Sequence, residues 1–188
     1  LEGADYFTFT NLTLKHTQDT IETGVFRLEM EADYNNIINC SLVLNSSDYG
    51  FGIVGGERSA SGFYNRGDNC NYLMVQNNHF EKGVVGIRLL GPSSVTGTNR
   101  INDIEILNNT FENQNVAISG DDLYDIKIND NAIFGSSTYI GINLYDVVGI
   151  GIERNNIKTL TRGILLNDSY GSIQNGRNII ANNMVQST

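Results

Sequence analysis

An asparagine recurs along this chain in a constant setting, three residues after an aliphatic residue and two before another apolar one. The clearest copies read VQNNHF (75–80), ILNNTF (106–111), INDNAI (128–133), IERNNI (152–157) and IANNMV (180–185). The repeated position is occupied by Asn78, Asn109, Asn131, Asn155 and Asn183, and in two looser copies by Cys40 and Leu12. Successive positions from Leu12 are 28, 38, 31, 22, 24 and 28 residues apart. A period in this range is typical of proteins that stack one structural unit on the next.

Each repeat also carries an apolar segment that contains glycine. These segments are GVFRL (24–28), GFGIV (50–54), GIRLL (86–90), VAISG (116–120), GINLY (141–145) and GILLN (163–167). Together the two landmarks predict a unit of strand, asparagine turn, short strand, loop, strand and turn, with strands of about three to five residues. Because no window has helical periodicity, we expect one all-β domain over 1–188, a solenoid of about seven coils.

The recurrent asparagine has a physical explanation in such a coil. Asparagine tolerates the left-handed backbone of a sharp bend, and its amide can hydrogen-bond to the amide one coil away, at the strand spacing of about 4.8 Å. We therefore expect a buried ladder of Asn78, Asn109, Asn131, Asn155 and Asn183. Cys40 and Leu12 cannot continue an amide ladder, so it should stop at Asn78. Cys40 and Cys70 are expected to be free buried thiols.

The repeated NN turn and the GI-x-L strand resemble the right-handed parallel β-helix of the pectate-lyase-like superfamily over about residues 6–185. The opening DYFTFTNLTL is also similar to coils of large secreted and cell-surface bacterial proteins. This resemblance implies a right-handed parallel β-helix, secreted or at the cell surface. Loop insertions are expected at the long gaps, near 55–71 and 91–103. Since neither end has a recognisable cap, we expect a fragment of a longer protein with neighbouring domains.

Three aspartates share one offset from the apolar strands, four residues after Ile118, Ile142 and Ile164. Stacking should bring Asp122, Asp146 and Asp168 onto one edge. Their carboxylates can either splay into water or share a cation such as Ca²⁺, which takes several oxygen ligands.

Tyrosines beside these aspartates form a second candidate site. Tyr124, Tyr145 and Tyr170 lie in or just beyond the same outer turn. They either offer rings on which a sugar can stack or cover the edge of the core.

Catalytic residues are harder to find. The resemblance implies lyases that use Lys or Arg as base with calcium, and glycosidases that use paired aspartates. Arg27 and Arg88 share an outward strand column and are weak candidates, but no basic pair with nearby acids stands out. We therefore expect no catalysis, and a lyase if there is any.

The composition excludes some partners. A net charge of −9 argues against nucleic acid and anionic membranes, and no apolar stretch is long enough to span a membrane. Three functions remain: a non-catalytic stalk, adhesion or carbohydrate-binding module, part of a polysaccharide lyase or glycoside hydrolase acting on acidic polysaccharide, and a phage tailspike-type module.

Overall fold

The computed structural model describes residues 1–17, 24–45, 50–56, 70–91, 100–170 and 178–187. Within these ranges the chain forms three parallel β-sheets and no helix. No helix that could span a membrane is present in this part of the chain. The all-β prediction is therefore confirmed, with strands that repeat as the sequence indicated.

The strands of each sheet follow one another in the order of the repeats. The first sheet contains β1 (Thr8–Thr10), β4 (Asn36–Ile38), β7 (Met74–Gln76), β10 (Ile101–Leu107), β13 (Leu123–Asn129), β16 (Val148–Glu153) and β19 (Ile179–Ala181). The second contains β2 (Thr13–His16), β5 (Ser41–Leu44), β8 (His79–Glu81), β11 (Thr110–Glu112), β14 (Ala132–Phe134), β17 (Asn156–Thr159) and β20 (Met184–Ser187). The third contains β3 (Gly24–Leu28), β6 (Phe51–Gly55), β9 (Val85–Leu90), β12 (Val116–Asp121), β15 (Ile140–Tyr145) and β18 (Arg162–Asn167).

One circuit through the three sheets is a rung, and each rung pairs with the next. Ile106 pairs with Ile128, and Phe111 pairs with Ile133, always in parallel. The architecture is that of a stacked coil of six to seven rungs, consistent with a parallel β-helix.

Columns of aliphatic and phenylalanine side chains fill the space between the sheets. The first sheet contributes Ile37, Val75, Ile106, Ile128 and Ile152, all fully buried, and the second contributes Leu42, Phe80, Phe111, Ile133 and Ile157. The third contributes Ile53, Ile87, Ile118 and Ile142. Burying each such side chain stabilises the fold by about 1.5–3 kcal/mol. The apolar residues of the repeat are thus selected by packing from rung to rung.

The glycine of the GI-x-L strand is required by the opposite wall of the core. A Cβ at Gly86 would lie 2.8 Å from Cδ1 of Phe111 and 2.6 Å from the carbonyl oxygen of Ala117. Gly52 has the same relation to Phe80, and Gly141 to Ile157. At these three rungs the third sheet therefore approaches the second too closely for a Cβ, whereas the equivalent position of β12 is occupied by the buried Ala117.

The expected strand length of three to five residues is too short for parts of the first and third sheets, where β9, β12, β15, β16 and β18 have six residues each. Strands β10 and β13 have seven residues each, and β13 begins directly after Asp122, a single left-handed residue that follows β12. A one-residue turn leaves no room for a loop, so the strand continues. The expected loop at 91–103 is likewise too long, because residues 101–103 belong to β10, while 57–69 and 92–99 lie outside the described residues.

Candidate functional site

The recurrent asparagines form a continuous hydrogen-bonded column inside the turn between the first and second sheets. In Asn78, Asn109, Asn131 and Asn155, the backbone nitrogen and Nδ2 both donate to Oδ1 of the next asparagine, at 2.8–3.1 Å. Each Nδ2 also donates to a carbonyl one rung back, as Asn131 does to Ile106. Asn183 accepts the last pair of bonds. At the other end, the backbone nitrogen of Cys40 donates to Asn78 Oδ1 at 2.7 Å. This column is structural, because its polar atoms satisfy one another.

The left-handed residue of this turn is not the ladder asparagine, which corrects the expected explanation. It is the residue before it, represented by Asn39, Asn77, Asn108, Asp130, Arg154 and Asn182, with φ between 53° and 60°. In the NN pair the first residue makes the bend and the second makes the ladder. The bend needs a left-handed backbone, whereas the ladder needs a side-chain amide. Arg154 can therefore make the bend but could not join the ladder.

The outer turn between the third and first sheets holds the three aspartates of the predicted column. Asp122, Asp146 and Asp168 all have left-handed backbones, with φ of 54°, 48° and 47°. A residue that sequence reasoning missed, Arg100, lies among them with a side chain only 9% exposed. Its Nη2 is 2.8 Å from Asp146 Oδ1, and its Nη1 is 3.7 Å from Asp122 Oδ1 and donates to the Asp146 carbonyl. The guanidinium lies where the sequence suggested a shared metal cation.

The carboxyl groups around Arg100 do not ionise independently. Burial raises the pKa of Asp122 to about 6, with further contributions from the charge of Asp121 and a hydrogen bond to Asp146, against the opposing effect of Arg100. Burial and Asp146 also raise the pKa of Asp121. These crowded carboxylates thus keep their protons to a higher pH than an isolated aspartate does, in spite of the arginine.

No group of three acidic, histidine or cysteine side chains is close enough to hold a metal ion in the described part of the chain. Calcium binding by Asp122, Asp146 and Asp168 stays a prediction. The closest carboxylates of that column already have a cationic partner in Arg100. Cys40 and Cys70 are buried free thiols.

The three tyrosines predicted near this turn lie on two sides of it. Tyr145 ends β15 of the third sheet, is 48% exposed, and has its pKa raised by a hydrogen bond to Asp168. Tyr124 lies in β13 of the first sheet, opposite Val148, which bridges to Tyr170. Tyr170, 54% exposed, accepts a 3.4 Å hydrogen bond from Arg100. Tyr124 and Tyr170 thus lie in one column of the first sheet, with Val148 between them, and Tyr145 lies on the third-sheet side of the turn.

The arginine candidates share a column of the third sheet, with Val54 between them in the register. Arg27 Nε donates to Glu29 at 2.8 Å, and the guanidinium of Arg88 lies 5.2 Å from the centre of the Phe51 ring. The charge of Arg88 offsets a small part of the burial that raises the pKa of Asp121. Arg27 and Arg88 stand two rungs apart, each with its own contacts.

A stack of tyrosine rings is the aromatic feature that sequence reasoning missed. Tyr6 and Tyr34 have ring centres 4.7 Å apart and planes 4° apart, and Tyr34 and Tyr72 have values of 4.3 Å and 5°. The rings are 74%, 39% and 41% exposed, on backbones with φ of 55–60°. A signal existed: these tyrosines each follow Asp or Asn and are 28 and 38 residues apart, the intervals of the main repeat.

Beyond Tyr72 the same column continues with Asp103 and Asp125, which are also left-handed. Next to it lies a groove of about 630 Å³ on the outer face of the first sheet, here named the tyrosine groove. It is lined by Asn36, Tyr72, Leu73, Met74, Asp103, Ile104, Glu105, Asp125 and Lys127. Burial and the charge of Asp125 raise the pKa of Asp103, and Lys127 contacts Glu105 at 2.8 Å. The groove combines an aromatic end with several carboxylates.

The chain matches no protein-family model, no curated protein and no solved structure.

Proposed function

We propose that this chain is a non-catalytic, carbohydrate-binding module of a secreted or cell-surface bacterial protein, built as a right-handed parallel β-helix of the pectate-lyase-like type. The observation that carries the proposal is the tyrosine groove, in which an exposed aromatic stack meets a cleft of about 630 Å³. A cleft of this size holds a small ligand or a few sugar rings.

The groove offers the two kinds of contact that sugars use. The ring of Tyr72 and the side chain of Met74 provide apolar surface for the C–H face of a pyranose. The carboxylates of Asp103, Glu105 and Asp125 accept hydrogen bonds from hydroxyl groups. Because the groove lies on a rigid paired sheet, these groups are held in place before the ligand arrives.

Titration calorimetry against a panel of oligosaccharides tests this proposal. Tyr72→Ala should abolish binding. Tyr145→Ala and Tyr170→Ala, which remove exposed rings that contact Asp168 and Arg100 respectively, should leave it unchanged. If only Tyr145→Ala and Tyr170→Ala lose binding, the sugar binds at the outer turn that holds Asp122, Asp146 and Asp168. A panel with no binder would overturn the function.

One observation favours an enzyme as the second candidate. Arg88 pairs in register with Ser119, two residues before Asp121 in the same strand, so a base candidate and a carboxylate lie on one face of the third sheet. If the chain is a polysaccharide lyase, unsaturated uronate will absorb in the ultraviolet when acidic polysaccharide is added, and Arg88→Ala will remove the signal. The hydrolase alternative would show as new reducing ends instead.

The tailspike-type alternative requires association. Four apolar residues of the last rung are about half exposed or more, namely Ile179, Ile180, Met184 and Val185. A trimer in sedimentation equilibrium would favour that alternative, and a monomer would count against it.

A further inference from the structure

We infer that the tyrosine groove selects an amino sugar, a pyranose that carries a free protonated amino group, over neutral and acidic sugars. This inference rests on the proposed carbohydrate-binding function and specifies its ligand. It follows from the charges of the groove, the place where the tyrosine stack ends, and the pairing of the strands beneath.

The charged side chains of the groove are unbalanced towards the negative. Among the described residues that line the groove, Asp103, Glu105 and Asp125 are accompanied by one cation, Lys127, whose Nζ lies 2.8 Å from Glu105. Asp103 and Asp125 occupy successive rungs of one column, and their mutual repulsion contributes to the raised pKa of Asp103. A bound ammonium group would relieve that repulsion, whereas a uronate carboxylate would add to it.

The end of the aromatic stack places a ring beside these carboxylates. One face of Tyr72 is covered by Tyr34 at 4.3 Å, and the next position of the column is Asp103 rather than another ring. The uncovered side of Tyr72 is therefore the side of the rung that carries Asp103. A pyranose on this ring can direct an amino group to the carboxylate and gains a cation–π contact as well.

The strand pairing argues against a basic peptide as the ligand. Strand β7 is paired with β4 and β10, and β10 is paired with β7 and β13. The floor of the groove thus offers no strand edge to which a peptide could add its own backbone hydrogen bonds. Ring stacking and side-chain contacts remain, and these suit a saccharide.

The test compares glucosamine oligomers with N-acetylglucosamine oligomers of equal length, oligogalacturonate and oligolysine, by calorimetry below the pKa of the amino group. We expect the glucosamine oligomer to bind about tenfold more tightly than its acetylated counterpart. Asp103→Asn should erase this preference, because it weakens binding of the glucosamine oligomer more than binding of the acetylated one, and added salt should weaken only the preference. The matched control is Asp130→Asn, an exposed aspartate with the same left-handed backbone, held by Arg154 and outside the groove.

Three other outcomes would contradict the inference, and a fourth would contradict the proposed function as well. Equal affinity for both oligomers, or a preference that survives Asp103→Asn, would overturn the inference and leave carbohydrate binding standing. Oligolysine binding as tightly as the glucosamine oligomer would also overturn it, since the groove would then select charge alone. If no saccharide binds, the proposed function fails together with the inference.

Discussion

Asn109 donates two hydrogen bonds to one atom, Oδ1 of Asn131, from its backbone nitrogen at 2.9 Å and from Nδ2 at 3.1 Å. The same double contact links each ladder asparagine to the next, so every buried donor depends on the neighbouring rung. This dependence predicts which asparagines matter for stability.

Asn155→Leu should destabilise the fold by about 1–3 kcal/mol, because the buried N–H groups of Asn131 would lose their acceptor. The adjacent Asn156→Leu is the matched control, since that side chain is exposed. Urea unfolding followed by circular dichroism measures both. Equal midpoints for the two variants would contradict a structural role for the ladder.

At the residue that precedes each ladder asparagine, the effect of a substitution on stability should depend on how well the new residue adopts a left-handed backbone, and not on hydrogen bonding. Asn108 has φ of 53°, which a β-branched residue adopts only with strain. We expect Asn108→Val to cost about 1–2 kcal/mol and Asn108→Gly to be nearly neutral. Thermal unfolding of the two variants checks this, and a valine tolerated as well as glycine would disprove it.

Gly86→Ala should destabilise the protein by about 1–3 kcal/mol, because its Cβ would collide with the ring of Phe111 and a carbonyl of the next rung. Gly151→Ala is the control, since a Cβ there meets nothing closer than 3.8 Å. The difference in unfolding midpoint between the two variants is the measurement. A harmless Gly86→Ala would mean that the sheets are farther apart than described.

The carboxyl cluster around Arg100 predicts a pH dependence of stability. The pKa of Asp122 is raised from 3.8 to about 6 in the folded state, so ionising it disfavours folding. The protonated carboxyl of Asp122 therefore favours the folded state at acidic pH, and this contribution to stability is lost as the pH rises from about 4 through 6. Asp122→Asn keeps a residue suited to φ of 54° and removes the charge.

We expect Asp122→Asn to stabilise the protein by about 1–2 kcal/mol at neutral pH, an amount reduced by solvent screening, and to have little effect near pH 4. Urea midpoints of both proteins across this range supply the comparison. A wild-type advantage that grows with pH would show that Arg100 outweighs the burial of Asp122.

The sequence predicted the features that repeat in every rung, because each is imposed by contact with the same position of the neighbouring rung. Ile106 must be apolar between Val75 and Ile128, so its column is visible in the sequence. Arg100 is different, since it reaches Asp146, 46 residues away, through a single long side chain. No periodicity marks such a contact.

The tyrosine stack is intermediate between the columns that repeat in every rung and the isolated contact of Arg100. Tyr6, Tyr34 and Tyr72 follow the repeat intervals, but only over three rungs, after which Asp103 takes the position. Because the column changes from tyrosine to aspartate, no single residue type marks it along the whole sequence. The position needs only a left-handed backbone and solvent, so different side chains satisfy it.

The location of saccharide binding tests the central claim most directly. In a backbone NMR titration with the tightest-binding oligosaccharide, we expect the largest amide shift changes at Leu73, Asp103 and Asp125, all in or beside the tyrosine groove. Changes centred on Asp146 and Tyr170, or no changes at saturating saccharide, would contradict binding in the groove.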